Sequence, residues 1–158
     1  MNELGGCLCG QIRFMVTVEP RNVTLCSCRF CQKATDSNQL VEPVFYRRDS
    51  TITKGTPKRY THVSGGSGKE VHVHFCENCG TNIYLGFQRW DDIIGIYSST
   101  FDRPRWFDVR AENAKFIFLN EAVHGTLIPA GLPTYRCHAT DNDRVAQKAT
   151  VYERPHAI

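Results

Sequence analysis

Seven of the eight cysteines in this 158-residue chain stand in three tight groups: "GGCLCG" with Cys7 and Cys9, "CSCRFC" with Cys26, Cys28 and Cys31, and "FCENCG" with Cys76 and Cys79. Sulfurs one or two residues apart are poorly placed to staple distant segments as disulfides, but they can converge on one metal ion. The N-terminus lacks a basic segment followed by an apolar run, and no stretch approaches the length needed to cross a bilayer. This predicts a soluble, cytoplasmic protein with no membrane partner. In a reducing compartment, clustered cysteines read as metal ligands.

The two cysteines of "FCENCG", with two residues between them and Gly80 after them, form a zinc knuckle: a tight turn that aims both sulfurs at one ion while backbone N–H groups point at them. A knuckle supplies half a site, and the chain holds two complements. Pairing with Cys7 and Cys9 makes a closed four-cysteine site that ties the start of the chain to its middle, and leaves Cys26, Cys28 and Cys31 as a local three-sulfur set. Three protein ligands with one open position is the pattern of catalytic zinc. The alternative is a second closed site, with Cys137 or one of His62, His72, His74, His124 and His138 as fourth ligand. The spacing does not match the common iron–sulfur runs.

With 41% hydrophobic residues the chain can bury one ordinary core. The expected organisation is one zinc-binding domain over residues 1–140 and a polar tail over 141–158 that packs on a partner subunit or stays partly disordered. "QIRFMVTV" places Ile12, Phe14, Val16 and Val18 on one face and "VHVHF" does the same with Val71, Val73 and Phe75, the period-2 mark of half-buried strands. In the second, His72 and His74 fall on the polar face. Further strands are expected at 40–45, 52–53, 83–86, 93–97 and 115–119, and one short helix at 32–37. The fold class is therefore mainly β, with irregular loops carrying the cysteines.

The formal charge of +3 suggests a nucleic-acid partner only until metal is counted. Seven bound thiolates and two zinc ions bring it to about zero. "YRRDS" and "PKRY" lack the dense basic stripe and aromatic ladder of a nucleic-acid surface. "SGGSGKE" fails as a phosphate loop, because Val63 stands where the first glycine is needed and Glu70 where Ser or Thr would hold magnesium. Neither the zinc-deaminase pattern nor a serine nucleophile elbow occurs.

An open three-thiolate zinc would favour an incoming thiol and generate its thiolate, the nucleophile that adds to an aldehyde. Arg29 and Lys33, flanking Cys31, are candidate partners for a substrate carboxylate. "GGCLCGQIRF", "CSCRFC", "KGTPKRY" and "FCENCGTNIY" together resemble, in order and approximate spacing, the glutathione-dependent formaldehyde-activating enzyme family, which includes the centromere protein V group. "GLPTYR" is similar to that family's C-terminal motif. The resemblance implies a β-tent-like fold and two zinc ions per chain, a structural one on Cys7, Cys9, Cys76 and Cys79 and a catalytic one on Cys26, Cys28 and Cys31. It implies a carbon–sulfur lyase joining formaldehyde to glutathione; the alternative is a binding module with two structural zincs. Many relatives carry His where this chain has Ser27.

Overall fold

Among residues 2–158, which the computed structural model describes, strands dominate. In chain order they are β1 (Glu3–Gly6), β2 (Arg13–Val16), β3 (Asn22–Cys26), β4 (Leu40–Tyr46), β5 (Ser50–Lys54), β6 (Lys58–Val63), β7 (Glu70–Phe75), β8 (Asn82–Phe87), β9 (Ile93–Ile96), β10 (Ala114–Ile117), β11 (Leu127–Ile128), β12 (Pro133–Thr134), β13 (Thr150–Val151) and β14 (His156–Ala157). Among the described residues a single α-helix, α1 (Arg29–Thr35), interrupts them after β3. The fold is thus mainly β, and among the described residues no helix is long and apolar enough to cross a membrane. The chain divides into two compact units, one of Met1–Arg21 and Pro43–Asp108, the other of Asn22–Glu42 and Val109–Ile158.

In the first unit, β1, β2 and β5 form an antiparallel sheet, and β6 to β9 form a meander in which β9 also pairs with the end of β4. The alternation around β2 holds for three of its four apolar positions: Ile12, Phe14 and Val16 are buried and pack with Phe45, Ile83, Ile94, Ile96 and Phe101, while Val18 lies beyond the end of the strand and is exposed. The Phe14 and Phe101 rings meet edge-on at 5.2 Å, the arrangement favoured by aromatic quadrupoles. β1 has no such alternation in its sequence, and Gly5 explains why. A Cβ there would lie 2.3 Å from the Phe14 ring and 2.5 Å from the Thr100 carbonyl, so the ring sits where a side chain would be. Cys7 and Cys76 belong to this same buried cluster.

In the second unit, β10 runs parallel to β3, in register from Ala114 opposite Val23 to Ile117 opposite Cys26, and parallel to β12 on its other side. Val23 to Cys26 are all buried, as expected of a parallel strand covered on both faces. The last residues join this unit, with β13 pairing antiparallel to β12 and β14 to β11. At the end of β3 the Ser27 N–H donates to the Ile117 carbonyl at 3.1 Å. This bond fixes where the central cysteine loop leaves the sheet.

Candidate metal centres

The first unit brings Cys7, Cys9, Cys76 and Cys79 together, with their sulfurs within 4.8 Å of one another. Two edges of the group are 3.5 Å (Cys7–Cys9) and 3.7 Å (Cys9–Cys76). A tetrahedron with metal–sulfur bonds of about 2.3 Å has edges of about 3.8 Å, so this donor set fits zinc. Each half is a turn closed by the backbone: the Gly10 N–H donates to the Cys7 carbonyl and the Gly80 N–H to the Cys76 carbonyl. Gly80 adopts φ +73°, which a side chain would strain. The Ile12 N–H donates to the Cys7 sulfur at 3.2 Å, and Thr81 Oγ1 lies 3.2 Å from the Cys79 sulfur. The Cys79 thiol is lowered to about 5, chiefly by that hydroxyl and by backbone N–H groups. Donors aimed at sulfur stabilise thiolates, the form that binds metal.

The second unit brings Cys26, Cys28 and Cys31 within the same 4.8 Å limit. Helix α1 starts one residue after Cys28, whose sulfur serves as N-cap and accepts the Cys31 N–H at 3.4 Å. Capping thus places Cys28 and Cys31 on one turn, and the end of β3 delivers Cys26 to them. The Cys28 thiol is lowered to about 3 by hydrogen bonds from the Cys26 and Cys31 thiols, which are themselves raised. Three sulfurs competing for protons, and charged in part, are a donor set suited to a soft divalent cation. Cys26 and Cys31 are buried, while Cys28 is partly exposed.

A polar network holds the loop. Gln32 donates through its amide to the Ser27 carbonyl at 2.5 Å and the Glu121 carbonyl at 2.8 Å, and its Oε1 accepts from the Arg29 guanidinium. Glu121 in turn accepts the Arg29 backbone N–H at 2.6 Å. Arg29 and Lys33, four residues apart, share the exposed face of α1. With Gln32, Asp36, Ser37 and Asn38 they line a cleft of about 260 Å³. Gln32 and Glu121 carry no motif; only the packing of residues 119–121 against the loop identifies them.

Glu42 also escapes motif reading, although a carboxylate inside the apolar run "LVEPVF" is a signal in itself. It is buried, and its Oε1 has no hydrogen-bond partner. Burial pushes its carboxyl up to about 8, opposed by Lys115 and reinforced by Cys28. The folded chain therefore keeps Glu42 protonated while the unfolded chain ionises above about 4.5. Stability from this group is full below 4.5 and falls as pH rises toward 8, by about 3 kcal/mol at pH 7. Replacement Glu42→Gln is expected to remove that slope, so the variant gains on the natural protein between pH 4.5 and 8 in denaturant titrations. Parallel stability curves over that range would mean that Glu42 ionises freely in the fold.

The family model described as "Glutathione-dependent formaldehyde-activating enzyme" matches residues 2–119. The chain belongs to this family. A curated Halomonas elongata relative bearing the same family name is 24% identical over 101 residues, or 62% of this chain. The chain spans 64% of that relative's length. The crystal structure of a Rhodobacter sphaeroides protein shares the fold, with a TM-score of 0.52 at 18% identity over 67% of this chain and 96% of that one. The glutathione-dependent formaldehyde-activating family is named as one of enzymes, and all seven grouped cysteines lie within the residues its model matches.

The remaining candidate ligands stand apart from both sulfur groups. Among the described residues no histidine or carboxylate joins either one. In this family member His72 pairs with Glu70 at 2.8 Å, and His74 stacks on Tyr84 at 4.1 Å. The His74 imidazole is held down to about 4 by burial and by the neighbouring positive charges of Arg47, His72 and Arg59. His138 Nδ1 accepts the Thr140 N–H at 3.1 Å. Cys137 is exposed, and its sulfur accepts from the Asn120 amide at 3.6 Å. Ser27 is fully buried, and its hydroxyl has no hydrogen-bond partner.

Proposed function

We propose that this family member catalyses the reversible addition of a thiol, with glutathione the leading candidate, to formaldehyde. In the forward direction the S–C bond forms, the carbonyl π pair moves onto oxygen, and the thiol's proton ends on that oxygen to give an S-hydroxymethyl adduct. The reverse breaks the same bond, which makes the enzyme a carbon–sulfur lyase. The observation that carries this proposal is the three-sulfur group of Cys26, Cys28 and Cys31. It converges without a fourth protein ligand among the described residues, and the helix that bears Cys31 also lines a cleft with two cations.

Cys7, Cys9, Cys76 and Cys79 would hold one zinc ion and Cys26, Cys28 and Cys31 a second, the latter supplying Lewis acidity that lowers the pKa of an incoming thiol. The other roles belong to the chain itself. Gln32 holds the Arg29 guanidinium through its Oε1, and Arg29 and Lys33 receive a carboxylate of the tripeptide. Cys28, the least buried of the three sulfurs, faces the approaching thiol. Seven cysteines converge as candidate metal ligands, a use of cysteine typical of reducing compartments, which supports a cytoplasmic enzyme.

Calorimetric titration of the zinc-loaded protein with glutathione tests this proposal. Binding heat is expected, and the double variant Arg29→Ala/Lys33→Ala is expected to bind glutathione roughly tenfold more weakly, the effect of one or two exposed charge-assisted bonds. The small thiol cysteamine, which has no carboxylate, should not distinguish the two proteins. A zinc-loaded protein that gives no heat with glutathione would instead favour a binding module whose metals are both structural.

A further inference from the structure

Thr81 follows the "FCENCG" knuckle, and its contacts reach both halves of the four-cysteine group. Its Oγ1 lies 3.3 Å from the Leu8 N–H, between Cys7 and Cys9, and 3.2 Å from the Cys79 sulfur. Its carbonyl accepts the Cys76 N–H at 2.9 Å. Leu8 is 73 residues from Thr81 in sequence, and the residue is 90% exposed. The Leu8 side chain therefore does not anchor this loop to the knuckle, and the backbone bond to Thr81 joins the Cys9–Cys76 sulfur contact in doing so. Thr81 thus bonds through its side chain to one of these four sulfurs.

We infer that Thr81 is a positioning residue of this metal centre, its hydroxyl locking the "GGCLCG" turn to the knuckle while donating to the Cys79 thiolate. The directions follow from proton counting. An amide N–H can only donate, so the Leu8 bond uses an oxygen lone pair of Thr81. The single hydroxyl proton is then left for Cys79. A thiolate bound to metal carries no proton, so in the loaded protein this bond can run only from oxygen to sulfur. Such a donor withdraws electron density from one ligand and fixes its direction, and removing outer partners of this kind typically costs 10- to 100-fold in metal affinity. The inference rests on the four-cysteine group holding a metal ion, as proposed above.

The test uses the full chain carrying Cys28→Ser, so that metal at the second group does not contribute, and compares Thr81, Thr81→Val and Thr81→Ser. Zinc affinity is measured by competition with a chromophoric chelator, and the sulfur-to-metal charge-transfer band is recorded with cobalt(II) in place of zinc. Valine keeps the shape and loses the hydroxyl; it is expected to weaken zinc binding 10- to 100-fold and to shift the cobalt band, while serine restores both. Valine binding as tightly as threonine with an unshifted band overturns the role of Thr81. A loss with valine that serine does not repair assigns the effect to packing and overturns the donor. If the protein with Thr81 intact binds no zinc at this group, the metal assignment itself fails, whatever Thr81 does.

Discussion

Cys76→Ser is expected to unfold the first unit rather than merely to loosen it. Cys76 is 1% exposed and packs in one cluster with Phe14, Phe45, Ile83 and Phe101. Its sulfur also meets that of Cys9, 67 residues away in sequence. In structural zinc sites the binding free energy is folding free energy, about 10–16 kcal/mol in finger peptides. A whole domain is stable by only about 5–15 kcal/mol. Losing a buried ligand from such a group therefore removes a share comparable to the total. Trp106, stacked on Phe45 with ring centroids 6.3 Å apart and tilted against Phe101 at 5.0 Å, reports on this unit directly. The expected result is a metal content reduced from the proposed two ions per chain to one or none, a red-shifted tryptophan emission and no cooperative thermal transition. Retention of two ions and of the native emission by Cys76→Ser would refute a structural role for the four-cysteine group.

Cys28→Ser is expected to do the opposite, losing activity while keeping the fold. Cys28 caps α1 by accepting the Cys31 N–H, and serine is among the best N-caps, so the helix should survive the exchange. The soft sulfur is gone, however, and two thiolates with a hydroxyl bind zinc far less well than three thiolates. One metal equivalent should be lost, and thiol–formaldehyde condensation should fall at least about 100-fold, on the scale of removing a principal electrostatic group from an active site. The midpoint of thermal unfolding should move by only a few degrees, since this group is local to residues 26–31 and closes no long loop. If condensation persists at its original rate after the second metal is lost, the three-cysteine group is not the catalytic centre.

Much of the architecture was legible locally. The alternation in "QIRFMV" and "VHVHF" led to β2 and β7, and the turn residues around "NIYLGF" and "IIGI" bounded β8 and β9 within a residue or two. Seven strands carry no such local mark: the two-residue β11 to β14 are too short to show a period, and β1, β3 and β6 lack one for distinct reasons. β1 reads as "ELGG" because the Phe14 ring fills the space that a side chain at Gly5 would occupy. β3 has four consecutive buried residues and so no period of two, and its parallel partner β10 lies some ninety residues on. β6 is mostly exposed and takes its register from β7. The helix was expected at 32–37 and forms at Arg29–Thr35, because a cysteine sulfur supplied the cap where a Ser, Thr, Asn or Asp signal would ordinarily mark the start. It ends at Asp36, which adopts the left-handed conformation.

Sequence alone determined which sulfurs could act together within each loop, since one or two intervening residues limit how far apart two cysteines can be. It also carried the family through the order of its motifs. Spacing left open which loop completes the knuckle, the family resemblance implied Cys7 and Cys9, and the fold brings those sulfurs to Cys76 and Cys79 while β3 carries Cys26 to a different unit. The polar residues around the sulfurs were likewise decided by tertiary structure. Thr81, Gln32, Glu121 and Glu42 acquire their roles from partners such as Leu8, Arg29 and Lys115. The physical reason is that a spacing rule limits reach along the chain, whereas a hydrogen bond or a desolvated carboxyl depends on which distant segment packs against it.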